Sequence, residues 1–215
     1  MPRPPRRRAH RRRSRNTAFL NIPYDPKYRN LYLAFIAGLC GFGLIPRATL
    51  EIPGGERRLN RIIALIRGCR YSFHDLCRVQ LDTTPPRTPR FNMPFELGLV
   101  VAWTHATRQR HDWFVFEAEK HRLKKSLSDL DGTDPYLHTE SAEHLLRSLA
   151  NALIRSKHRP TMAQLESIYH DLRKAARVLK RDLRTDTLFE ARAFRDLVVA
   201  ARLSAGNRIP SLRQD

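Results

Sequence analysis

The sequence predicts an α/β domain, a parallel sheet of about five strands with helices on both faces, extended by a C-terminal helical hairpin. Two observations carry that expectation. From residue 17 to about 155, short apolar runs alternate with segments whose apolar residues recur at helical spacing. Beyond residue 160 only helical periodicity remains, with many charges and a clear apolar stripe.

The first strand is read at Thr17–Ile22, ended by the turn formers Pro23 and Asp25-Pro26. Tyr28, Leu31, Tyr32, Phe35 and Leu39 then mark one helical face, and Gly41 and Gly43 stop that helix. Leu44–Glu51 reads as the second strand. Ile52-Pro-Gly-Gly55 is a loop, and Leu59, Ile62, Ile63 and Ile66 fit the face of the helix that follows, closed by Gly68. A third strand is expected over 70–76 (RYSFHDL), then a loop over Val79–Met93 and a nearly all-apolar helix over Pro94–Ala106. Asp112–Glu117 is the fourth strand, followed by a weaker helix from about Lys120 to Leu130 and a short fifth strand near Tyr136–His138. Ser141 caps a helix reaching Ile154. Thr161 with Gln164 three residues on forms a capping box. The helix so opened carries Leu165, Ile168, Leu172, Leu179 and Leu183, and a last helix covers about Asp186–Leu203.

This alternation is the flavodoxin-like arrangement, and connections of this kind are right-handed crossovers. The organisation expected is an Arg/Pro-rich tail over 1–15, an α/β domain over 16–157 and a helical extension over 158–215. The hairpin packs either on the domain or on a second copy of the chain, so a homo-oligomer is one expectation. In open parallel sheets, ligands bind beyond the carboxyl ends of the strands. That directs attention to Asn21–Asp25, the loop 51–58, Phe73–Arg78 and the segment after the long loop.

The chain has 215 residues, enough for one domain with a real core, and a net charge of +19. Residues 1–15 hold eight arginines and no acid; removing those eight charges leaves +11 on the rest. Such a run is expected to be disordered. It is either an electrostatic arm for nucleic acid or an anionic surface, without sequence specificity, or a solvated tail. No run of about 18 apolar residues indicates a membrane span, and the N-terminus lacks the apolar core of a secretory signal. Cys40, Cys69 and Cys77 are odd in number and lack CxxC spacing, as expected of reduced thiols in a cytoplasmic protein. GxGxxG, GxxxxGK[ST], GxSxG and HExxH are all absent. His74 and Cys77 stand three apart, but two ligands do not make a site, and no metal is expected.

One constellation remains. In RFNMPFELGLV (90–100), Glu96 is the only acid at the start of an otherwise apolar helix. With Pro94 at the first helical position, Glu96 falls at the third, where a Glu caps the backbone and meets the helix dipole. Equally, this end of the helix lies on the ligand side of the sheet, where the same carboxylate serves as a catalytic group.

FNMPFELGLVVAW resembles the N-x-x-F-E-L-G segment of bacterial TIR-like nucleotide-binding domains, and is similar to the glutamate-bearing helix of nucleoside 2-deoxyribosyltransferases. LNRIIALIRGCRYSFHDLCRV resembles the TIR helix that runs into the third strand, and AFLNIPYD stands in the place of the first strand and its polar loop. The likeness covers about 17–155. It implies an NAD glycohydrolase that takes NAD as substrate and needs no cofactor, in bacterial defence or stress signalling, with Glu96 as the catalytic residue. A non-catalytic interaction module and a deoxyribosyltransferase-like enzyme are the alternatives.

For that chemistry, Asn92, Asp75, Ser72, Asp25 and Asn21 are the candidate partners of ribose or base, and Arg57 or Arg58 of a pyrophosphate. Tyr24 and Phe91 are candidates to stack on a base, and Trp103 is expected in the core. A Glu at the third helical position is expected to stay ionised, which favours a role as electrostatic stabiliser or nucleophile over proton donation.

Overall fold

The computed structural model describes residues 16–51, 57–79, 85, 87–107, 110–130 and 132–213. The expected tail over 1–15 and loop 52–55 lie outside the described residues. Five strands form one sheet: β1 (Thr17–Asn21), β2 (Ile45–Arg47), β3 (Tyr71–Asp75), β4 (Asp112–Glu117) and β5 (Tyr136–Leu137). The order is β2-β1-β3-β4-β5, and every neighbouring pair is parallel. This is the flavodoxin-like order predicted.

Helices α1 (Arg29–Gly41), α5 (Ala142–Ala152), α6 (Met162–Asp182) and α7 (Ala191–Arg208) share the apolar cluster on one face of the sheet, with Leu20, Phe73 and Phe116. Helices α2 (Arg58–Gly68) and α3 (Asn92–Thr107) cover the other face, against Phe19. The short α4 (Arg122–Ser126) adds Leu123 to a third cluster with Leu76, Met93, Leu97 and Val115. The clean alternation along β3 assigns its side chains to opposite faces. Phe73 joins the α1 side, whereas Ser72 and His74 join the α2/α3 side, where the His74 ring meets Phe19 edge-on.

The hairpin α6/α7 seats on α1. Leu165, Ile168 and Leu172 are buried with Phe194, Leu197 and Ala201, and a Cβ placed on Gly41 would come within 2.6 Å of Leu165 Cδ2. Glycine at 41 thus lets α6 approach α1. The capping box forms as expected: Gln164 N–H donates to the Thr161 hydroxyl, and Thr161 N–H to the Gln164 side chain.

Four of the boundaries that differ from expectation matter for the site or the hairpin. The second strand spans only Ile45–Arg47, because the Glu51 carboxylate accepts from Arg47 Nε and Ala48 N–H and turns the chain at Thr49–Glu51. The weak helix after β4 shrinks to Arg122–Ser126, with a single 3-10 turn at Ser128–Leu130 beyond it. The last helix begins at Ala191, not Asp186. Upstream, the Thr185 and Thr187 hydroxyls accept from the N–H groups of Thr187 and Phe189, a local alternative to helical bonding. It runs on to Arg208, held by Ser204 donating to Asp171 and by Arg208 pairing with the same acid at 2.6 Å. Finally, α3 starts at Asn92, two residues before Pro94, with Phe95 N–H bonded to the Phe91 carbonyl.

Candidate active site

The last of these changes bears on Glu96. With Asn92 as first helical residue, Glu96 is the fifth, and the first turn of α3 holds no acid. The expected capping role is therefore corrected: Glu96 lies a turn inside the helix, past the free N–H groups that a cap would satisfy. It is nonetheless buried, at 4% exposure, beside Met93 and Leu97.

Its carboxylate opens onto a pocket of about 130 Å³ bounded by Asn21, Tyr24, Thr49, Arg58, Arg90 and Asn92. From β1 the order runs to β2 on one side and to β3 on the other, so the chain reverses between β1 and β3. The pocket sits at the carboxyl end of β1, at that reversal, where such sheets bind ligands.

Burial raises the Glu96 pKa to about 7, and the nearest cation, Arg58 Nη2 at 3.8 Å, only partly opposes it. The distance is long for a hydrogen bond and the guanidinium is more than half exposed. The expectation of a carboxylate held ionised is thereby overturned: desolvation dominates over the weakened dipole. At neutral pH the group exchanges readily between acid and base.

Asn21 is anchored from beneath. Its Nδ2 donates to the Met93 carbonyl at 2.8 Å and to His74 Nδ1 at 2.9 Å, tying β1 to the start of α3. His74 Nδ1 must then accept, so Nε2 carries the proton and donates to the Ser72 hydroxyl at 2.9 Å. Ser72 in turn is left to donate to His111 Nε2 at 2.9 Å. Burial, reinforced by the neighbouring His111, lowers the His74 pKa to about 3, so the ring is neutral.

The remaining expected residues divide. Asn21 and Asn92 line the pocket as anticipated. Asp25 caps the turn at Pro26–Tyr28 and accepts from Arg90 Nη1 at 3.1 Å; it holds a pocket arginine in place at the rim. Arg58 faces Glu96, whereas Arg57 is exposed at the α2 cap and does not line the pocket. Ser72 is buried between two imidazoles and does not reach the pocket either. Asp75 points to the opposite face of the sheet, as strand alternation requires. It accepts from the Tyr28 hydroxyl and from Cys77 N–H, and His138 Nε2 stands 3.1 Å from its carboxylate as an ion-pair contact. Its burial favours the neutral acid, but the adjacent His138 imidazole and the Tyr28 and Cys77 donors outweigh burial and hold its pKa below the ordinary value.

Asp75, Cys77 and His138 bring ligand-type atoms within 4.8 Å of one another. His138 Nδ1 accepts from Glu140 N–H, which leaves the proton on Nε2, facing Asp75. The close contact of Asp75 with His138 links the end of β3 to the residue just after β5.

Tyr24 contributes a buried hydroxyl bonded to Thr49, with its pKa raised chiefly by burial, while its ring leans on Phe189 at 6.1 Å. Phe91 is 67% exposed and Phe95 is 55% exposed, side by side at the start of α3. Trp103 is half-buried rather than core, under the Arg67 guanidinium at 5.2 Å. Arg90 and Thr49 were not anticipated. Arg90 stands two residues before Asn92, but its link to Asp25 crosses 65 residues, and no local pattern signals such a contact.

The fold and pocket define a class: a doubly wound α/β protein with one buried carboxylate, its pKa raised by burial, at the reversal of strand order. No protein-family model, no curated protein and no solved structure matches the chain.

Proposed function

We propose that the protein hydrolyses the N-glycosidic bond of a nucleotide, with NAD as substrate and nicotinamide as leaving group. The observation that carries this reading is a single buried carboxylate, Glu96, beside two asparagines and two arginines in a sugar-sized pocket. Such a volume accommodates a ribose; the pyrophosphate and second nucleoside would extend outwards along Arg58 and Arg90. Exposed Phe91 and Phe95 offer a face on which a base can stack.

In the reaction the bond from the anomeric carbon to the pyridine nitrogen breaks, and its electron pair leaves with neutral nicotinamide, so no general acid is needed. The sugar becomes oxocarbenium-like, and ionised Glu96 opposes its positive charge. Water then bonds to the anomeric carbon and gives up a proton, which Glu96 can accept. In this reading the Asn21 side-chain carbonyl and Asn92 bind ribose hydroxyls.

The raised pKa also favours a second reading, transfer between nucleosides. A departing purine or pyrimidine benefits from protonation, and a Glu with a pKa of about 7 supplies a proton near neutrality. Incubation with a nucleoside and a second free base separates the two. Base exchange without nicotinamide release from NAD selects the transferase, and nicotinamide release without exchange selects the hydrolase. If neither occurs, in dilute or in concentrated protein, both enzymatic readings fail and a binding module remains.

A further inference from the structure

A second cavity, of about 260 Å³, lies between the start of α1 and the latter half of α6 and shares no lining residue with the Glu96 pocket. Four cations border it: Arg29, Arg173, Arg177 and Lys180. Among the described residues, none of the four has an acidic partner within 4 Å. Other arginines are neutralised: Arg47 by Glu51, Arg70 by Asp112, Arg78 by Glu140, Arg147 by Glu143 and Arg208 by Asp171.

Like charges crowd this border of the cavity. Residues 173–181 contain five Lys or Arg and no acid. Arg173 and Arg177 stand at i, i+4 and Arg177 and Lys180 at i, i+3, so like charges adjoin on one helix face. Arg173 and Lys180 are also half-buried, and the Arg173 guanidinium is held over the Tyr169 ring at 5.7 Å. Partly desolvated cations without a counter-charge are costly, and a bound anion removes the cost.

The floor is apolar, formed by Leu33, Ala176 and Leu188, with the amide of Asn30 at the edge. Bare phosphate would leave that floor wet. A ligand with an apolar ring at one end and several negative charges at the other satisfies both parts, and the cavity approaches the lower end of small-ligand sites, about 300 Å³. We infer that this cavity is a binding site for a nucleotide carrying two or more phosphates. The phosphates pair with the four cations, and the base lies over Leu33 and Leu188.

The test titrates the full chain with ADP, and in parallel with adenosine, pyrophosphate and a mixed-sequence single-stranded oligonucleotide. Two double variants are compared: Arg173→Glu/Arg177→Glu, and Lys125→Glu/Arg155→Glu, which changes net charge equally at exposed sites elsewhere. Thermal melting first establishes that both fold. ADP should bind more tightly than adenosine or pyrophosphate. Its affinity should fall at least tenfold in the first variant and less than twofold in the second. Equal losses in both variants would reduce the effect to net charge and overturn the site, as would the absence of ADP binding to the wild type. Oligonucleotide binding that depends on Arg173 and Arg177, with no ADP binding, would overturn the nucleotide in favour of a nucleic-acid backbone.

Discussion

Glu96 keeps a carboxyl in a place that disfavours its charge, and that has a measurable consequence for stability. Its pKa is about 7 in the folded chain against an ordinary 4.5. The folded state therefore binds the proton more tightly. The group's contribution is least unfavourable below about 4.5, and stability is lost as pH rises from there through 7. Glu96→Gln removes the ionisation, so at pH 8 the variant should be more stable than wild type, by up to about 3 kcal/mol from the shift. At pH 4.5 the difference should nearly vanish. Urea unfolding at the two pH values checks this; a variant less stable at pH 8 would show that the carboxylate is structurally required. His74 behaves in the opposite sense. Its pKa is lowered from 6.5 to about 3, so the stability it contributes is present above 6.5 and lost as pH falls towards 3. His74→Gln, which cannot charge, should flatten the loss of melting temperature between pH 6.5 and 4. Glu96 was legible as a residue, because one acid in an apolar helix is conspicuous. Its protonation was not, because it depends on Arg58 staying 3.8 Å away and on a helix boundary two residues upstream of Pro94.

At the scale of elements, periodicity located the helices and strands, and side-chain competition shifted their ends. Glu51 ended β2 early, and the hydroxyls of Thr185 and Thr187 delayed α7. Those are contacts of short polar side chains with nearby backbone, which an apolar pattern does not record. The apolar stripe of α6 was visible, but not what it covers. In the structure it covers α1, where Leu165 is fully buried against Gly41. Leu165→Ala should cost about 2–5 kcal/mol, the usual range for a buried leucine. Gly41→Ala should also destabilise, by about 1–3 kcal/mol, through overpacking against Leu165. If the hairpin were a separate unit, Leu165→Ala would melt it alone and leave the sheet domain's transition unchanged. A single cooperative transition moved to lower temperature is the outcome expected from a shared core.

For the whole molecule, alternation of strands and helices was enough to predict a parallel sheet with helices on both faces. It also placed ligand chemistry at the strand ends. It could not say which face each strand-end residue would occupy. Ser72 and Asp75 are three apart on one strand, yet Ser72 supports the floor beneath Asn21 while Asp75 ties Tyr28 to His138 on the other side. Arg58, Arg90 and Thr49 reach the pocket from three distant segments; only the folded chain assembles them.

The most direct measurement is nicotinamide release from NAD by the full chain, from pH 5.5 to 8.5, beside Glu96→Gln. With Glu96 acting as a carboxylate, kcat/KM should rise about tenfold per pH unit below a midpoint near 7 and then level off, and Glu96→Gln should lose at least about a hundredfold. A wild type without turnover, or a Glu96→Gln variant with full activity, would contradict the account.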